Sequence, residues 1–170
     1  MGNIKKHRSY IFLDLDGPVI PFSYPDNISP HAIPEDVFPF NSRMDDTAKG
    51  FIEKLCEEFD ATIIVNSTHN SPSFGGWEHV QRLFECNKIR HLLEDKTRFK
   101  NGIENRLEAV ADYLNYRPRE FFVILDDDYR HFEQKTPASK HYVQTGYYGM
   151  VSEQYEKAKE ILRGNIEIQK

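Results

Sequence analysis

The sequence predicts an open α/β fold in three layers around a mostly parallel sheet, and three observations carry that prediction. Short runs of unbroken apolar residues recur along the chain, each run closes on acidic or polar side chains, and stretches of helical periodicity separate the runs. Unbroken rather than alternating apolarity suits strands covered on both faces, as inside a parallel sheet. Strands that alternate with helices favour parallel pairing through right-handed crossovers.

The elements follow in order. Ser9 to Leu13, Ala61 to Val65 and Phe121 to Leu125 are the three apolar runs and read as strands. Between the first two, Ala48, Phe51, Ile52, Leu55 and Phe59 fall at helical spacing within a helix placed at Asp45 to Phe59. A second helix is expected near Trp77 to Cys86, followed by a short apolar patch at Ile89 to Leu93. Leu107, Val110, Ala111 and Leu114 mark a third helix, His141 to Gln144 a further strand, and Tyr155, Ala158, Ile161 and Leu162 a last helix stopped by Gly164. Gly17 to Arg43 carries six of the nine prolines, which denies it regular helix and marks a long irregular loop of the kind that usually serves function.

The 170 residues suffice to bury about 70% of the surface an unfolded chain exposes, so one domain over residues 1–170 needs no disulfide or metal staple. The two cysteines, Cys56 and Cys86, form no CxxC or Cys/His spacing and read as buried thiols in a reducing compartment. The apolar run after the basic residues 1–8 is broken by Asp14 and Asp16, too soon for a signal peptide or membrane span. With a mean hydropathy of -0.66, the expected location is the cytoplasm, without a membrane partner.

In an open parallel sheet, ligands bind outside the carboxyl ends of the strands. The first strand ends Asp14-Leu15-Asp16-Gly17, the second Asn66-Ser67-Thr68-His69-Asn70 and the third Asp126-Asp127-Asp128. If these strands are neighbours, at least four carboxylates converge, and like charges that close are costly unless a cation sits among them. A hard, oxygen-seeking divalent ion such as Mg²⁺ meets that need. A strand-end turn without chemistry would explain Asp14 and Asp16, but not the acidic run that ends another strand.

Tyr-Ile-Phe-Leu-Asp14-Leu-Asp16-Gly17 resembles the first motif of the haloacid dehalogenase (HAD) superfamily, Ser67 its second motif and Asp126-Asp127 its acidic fourth motif. The resemblance runs from about Ser9 to Leu162. The chain is most similar to small bacterial and phage HAD domains, among them those associated with RNA-repair proteins, in which a helix starting near an Arg precedes the acidic strand; Arg106 stands at that place. Pro18 replaces the Thr or Val of many relatives, and His69 and Asn70 stand where many show Trp and Arg.

The resemblance implies a Rossmann-like HAD fold and a Mg²⁺-dependent phosphatase. Asp14 would be the nucleophile that forms an aspartyl-phosphate, and Asp16 the acid that protonates the leaving oxygen and then the base that activates water. Mg²⁺ would be held by the Asp14 carboxylate, the Asp16 main-chain carbonyl and Asp127 or Asp126. Ser67, with Thr68 beside it, would contact phosphoryl oxygens. The third-motif cation would be Arg106 or Lys100.

Neither gap between motifs leaves room for a large cap domain, and by family analogy a capless member acts on large substrates. A nucleotide or a nucleic-acid terminal phosphate is the candidate substrate: Lys88, Arg90, His91, Lys96, Arg98, Lys100 and Arg106 form a basic stretch, and Phe74 and Trp77 could stack on a base. Against it, the chain carries a net charge of -5, and a basic stretch is commonly only a solvated face. Two other functions fit the same motifs: a HAD-fold module that holds phosphate without turnover, and a phosphotransferase that passes the phosphoryl group to another hydroxyl.

Overall fold

A computed structural model describes residues 9–21, 43–99, 106–128 and 137–164. Strand β1 (Ser9–Leu13), buried along its whole length, forms the centre of a five-stranded sheet. It pairs in parallel with β2 (Ala61–Val65) on one side and β4 (Phe121–Asp126) on the other. A third strand, β3 (Leu93–Lys96), joins β2, and β5 (Tyr142–Gln144) joins β4, giving the order β3-β2-β1-β4-β5 with every ladder parallel.

The period-2 alternation of side chains sorts the apolar runs into two cores. Ile11, Leu13, Ile63, Val65, Val123 and Leu125 face one layer, where they meet α1 (Asp46–Glu58), α2 (Gly76–Cys86) and α4 (Ser152–Leu162). Tyr10, Phe12, Ile64, Phe122 and Ile124 face the other, under Leu107 and Val110 of α3 (Arg106–Tyr116). This is the three-layer, Rossmann-like α/β arrangement expected, with no cap domain among the described residues. No helix among them is long and apolar enough to cross a membrane.

Several boundaries move by a residue or so for local reasons. Asp45 caps α1 instead of opening it, because its Oδ1 accepts the Ala48 N–H at 2.8 Å. His141 ends a single 3₁₀ turn, Pro137–His141, so β5 starts at Tyr142. The short strand β3 is new. Its sequence, Leu-Glu-Asp-Lys, has one apolar residue, and it pairs across an irregularity at Ile63/Ile64, as suits a charged strand at a sheet edge. Cys56 is buried as expected, but Cys86 is exposed, because it is the last residue of α2 and turns away from the core. Of the proline-rich loop only Gly17 to Pro21 and Arg43 lie within the described residues.

Candidate active site

The order of strands reverses between β1 and β4, the place where an open parallel sheet offers a crevice at the carboxyl ends of its strands. The ladder continues one residue past each strand. The Asp14 N–H donates to the Leu125 carbonyl at 2.9 Å, the Asn66 N–H to Leu13 at 2.8 Å and the Thr145 N–H to Asp126 at 2.9 Å. Asp14, Asn66 and Asp126 therefore leave the sheet at one level, and Ser67, Asp16 and Asp127 stand just beyond it.

Asp14, Asp126 and Asp127 offer carboxylate oxygens that all lie within 4.8 Å of one another. Asp14 and Asp126 are almost wholly buried, 2% and 1% exposed. Arg106, the first residue of α3, reaches between them: its Nη1 lies 2.7 Å from Asp14 Oδ2 and 2.8 Å from Asp126 Oδ2. The start of α3 is tied to the site by Asn66, whose amide donates to the Arg106 carbonyl at 3.4 Å and whose oxygen accepts from the Thr97 hydroxyl at 2.7 Å. On the other side the Tyr142 hydroxyl bridges the Asp126 and Asp128 carbonyls at 2.9 and 3.0 Å, and the Asp128 N–H donates to Asp126 Oδ1.

Burial raises the Asp14 pKa, with the Arg106 charge and the Ser67 hydroxyl working the other way. Burial, then the charge of Asp14, pushes Asp126 up to about 7, and the same two causes push Asp127 up to about 6. Burial opposes the charge on Arg106, but Asp14 and Asp126 more than offset it and hold the guanidinium protonated. With all three carboxylates ionised, their charge exceeds that of the one guanidinium by two, an excess that a divalent cation would balance.

Two further observations test the fit of such an ion. Asp14 Oδ1 is buried without a hydrogen-bond partner, although Oδ2 has Arg106. Gly17, at φ +93°, lets Asp127 close over the first motif: a Cβ there would stand 2.7 Å from Asp127 Cγ and 2.8 Å from its Oδ2. The absence of a side chain at Gly17 is thus a condition for bringing the third carboxylate in. A hard divalent cation fits this set of oxygen donors.

The fourth carboxylate does not join them. Asp16 turns aside, and its Oδ2 lies 3.0 Å from His69 Nε2. The expected convergence of four is therefore one of three, because a histidine two residues past Ser67 takes the fourth. Ser67 is fully buried at the end of β2 beside Asp14, where its Oγ accepts from the His69 N–H at 3.5 Å. Thr68 opens the 3₁₀ turn Thr68–Asn70 and is half-buried.

Lys100 lies outside the described residues. Among the other basic side chains, Lys96 Nζ donates to the Asn70 carbonyl at 3.4 Å and Arg90 to the Leu93 carbonyl, while Lys88, His91 and Arg98 are exposed. Trp77 packs against the core under Lys96, whereas Phe74 is half exposed. Asn66, Thr97, Tyr142 and His79 join the surroundings of the site without appearing among the residues the sequence motifs point to. Only Asn66 carried a signal, an amide between an apolar strand and a serine; the others are polar residues whose roles depend on which strands become neighbours.

No curated protein matches the sequence. A family model described as the HAD domain in Swiss Army Knife RNA repair proteins matches residues 10–155, a span that holds β2 to β5, all of β1 but Ser9, and the acidic and basic groups described above. The chain belongs to this family of HAD domains.

Proposed function

We propose that the protein is a Mg²⁺-dependent phosphatase that hydrolyses a phosphomonoester through an aspartyl-phosphate on Asp14, the whole chain acting as one domain in the cytoplasm. The observation that carries this reading is the state of the Asp14 carboxylate. It is buried at the floor of the crevice, tied through Oδ2 to Arg106, unpartnered at Oδ1 and next to two further carboxylates.

Arg106 fixes the Asp14 plane and offers positive charge to the incoming phosphoryl group, while Ser67, with Thr68 behind it, donates to a phosphoryl oxygen. An Asp14 oxygen attacks phosphorus, the bond from phosphorus to the leaving oxygen breaks, and that oxygen takes its proton from Asp16. Asp16, now a carboxylate, accepts a proton from water as the water oxygen attacks the phosphorus. The bond to Asp14 breaks, releasing inorganic phosphate and restoring both carboxyl groups. A Mg²⁺ held by Asp14, by Asp127 or Asp126 and by the Asp16 carbonyl supplies charge neutralisation for the phosphoryl oxygens when bound.

The substrate class we favour is a nucleotide or the terminal phosphate of a nucleic acid. The family's occurrence in RNA repair proteins supports it, as do exposed aromatic side chains near the carboxyl end of the sheet. Phe74 follows Ser67 in a second single turn. Tyr147 and Tyr148 lie in a turn whose next residues, Gly149 and Met150, donate to the Gly17 and Pro18 carbonyls at 2.9 and 2.8 Å. Base stacking on such rings is tolerant of sequence.

Hydrolysis of an aryl phosphate by purified protein, with and without Mg²⁺ and beside Asp14→Asn, tests the reading. Turnover that needs Mg²⁺ and disappears in the variant is expected. Turnover that survives in folded Asp14→Asn would remove Asp14 as nucleophile.

A further inference from the structure

Asp16 is attached to a chain of two histidines that the chemistry above does not use. His69 Nε2 lies 3.0 Å from Asp16 Oδ2, and on the far side of the same ring Nδ1 lies 3.3 Å from His79 Nε2. The two imidazole planes are 10° from parallel, with ring centroids 5.4 Å apart, as suits two rings joined nitrogen to nitrogen. The His69 side chain is only 14% exposed, while that of Asp16 remains 39% exposed at the mouth of the crevice.

Separate elements build this chain. His69 stands in the Thr68–Asn70 turn, which is fixed when Asn70 donates its amide to the Val65 carbonyl at 2.8 Å. His79 stands on the first turn of α2, and its place depends on Gly75, the residue that caps that helix at φ +102°. A Cβ at Gly75 would stand 2.7 Å from His79 Cβ and Cγ, so the helix start is shaped around this ring. A carboxylate oxygen only accepts, so the nitrogen facing Asp16 carries hydrogen, and in that tautomer Nδ1 faces His79 as an acceptor. Burial, with His69 and Arg82 nearby, lowers the His79 pKa and keeps that ring a neutral donor.

We propose that His69, backed by His79, is a positioning residue that holds the Asp16 carboxyl by Oδ2 and so assigns Oδ1 to the proton transfer with the leaving oxygen. This inference rests on the phosphatase reading given above. Without the clamp, the Asp16 side chain, two residues along the chain from Asp14, would have a free choice of rotamers, and the acid would be in line for only part of the time. His69 touches neither substrate nor phosphorus in this account. It acts through Asp16, and the difference shows in which substrates suffer.

A leaving group that departs easily needs little help from an acid, whereas an alkoxide needs much. His69→Ala should therefore slow an alkyl phosphate about tenfold or more beyond its effect on an aryl phosphate, in kcat with KM little changed. His69→Gln, which keeps an N–H near Nε2, should recover much of the difference, and His79→Ala should show a smaller version of it. Equal loss on both substrates, or no rescue by Gln, would overturn the clamp while leaving the phosphatase reading intact. If the wild type hydrolyses neither ester with Mg²⁺ present, the phosphatase reading fails first. Nitrogen-15 NMR of the imidazoles then decides the clamp alone. A His69 ring fixed with hydrogen on Nε2, released in Asp16→Ala, supports it, and a ring averaging between tautomers in the wild type refutes it.

Discussion

The crowding of Asp14, Asp126 and Asp127 predicts that the metal-free protein loses stability as pH rises, and that Mg²⁺ reverses the loss. Asp126 has an ordinary carboxyl pKa of 3.8 in the unfolded chain and is pushed up to about 7 when folded. A group raised in this way contributes stability that is fully present below the unfolded value and is lost as pH rises through the folded one. At 1.36 kcal/mol per unit, the shift of Asp126 corresponds to roughly 4 kcal/mol between about pH 4 and pH 8. Because the three carboxyl groups crowd one pocket, protonating one relieves the others, so we expect about 2–4 kcal/mol for the cluster and not three separate contributions. A divalent cation replaces the bound protons, and at a hundred times its Kd it adds about 2.7 kcal/mol. Urea unfolding followed by circular dichroism, at about pH 5 and pH 8 and with EDTA or Mg²⁺, reads both effects. Asp126→Asn should flatten the pH dependence and abolish most of the Mg²⁺ response. Equal stability at the two pH values in EDTA, or no Mg²⁺ stabilisation at pH 8, would refute the view that the cluster is a divalent-cation site.

Gly17→Ala should weaken Mg²⁺ binding by calorimetry and cost about 1–3 kcal/mol in unfolding, since a Cβ would meet Asp127 at 2.7 Å and the φ of +93° strains an L side chain. Ordinary Mg²⁺ affinity in that variant would show that Asp127 is not held where it is needed. Arg106→Ala leaves Asp14 and Asp126 buried without their cation, and should destabilise the metal-free protein at neutral pH by about 3–5 kcal/mol. It should also remove turnover. A folded, active Arg106→Ala would move the third-motif role to another cation.

The fold was legible where a physical signal was local. The continuous apolarity of Ser9–Leu13, Ala61–Val65 and Phe121–Leu125 marked the three central strands, since burial on both faces demands it. Their termination in Asp14, Ser67 and Asp126 marked the candidate site, because parallel strands in register deliver their last residues to one edge. Arg106 came from the family resemblance, as a cation opening a helix before the acidic strand, with Lys100 as the alternative. Strand β3 was not, because Glu94, Asp95 and Lys96 belong to an edge and need little apolar cover. The diversion of Asp16 to His69 was hidden for another reason: it depends on a turn packed against α2 and on the small size of Gly75, and neither leaves a pattern in sequence. His79 was invisible alone, since a histidine at the start of a helix has many ordinary uses.

The central claim is that Asp14 is the residue that carries the phosphoryl group. The most direct measurement is to quench the protein during turnover of a phosphomonoester with Mg²⁺, reduce it with borohydride, and sequence the peptide spanning residues 9–21 by mass spectrometry. An acyl phosphate is reduced to the alcohol where a free carboxylate is not, so the account predicts conversion of Asp14 to homoserine with Asp16 unchanged. Conversion at Asp16, or turnover with no reducible aspartate in the peptide, would contradict it.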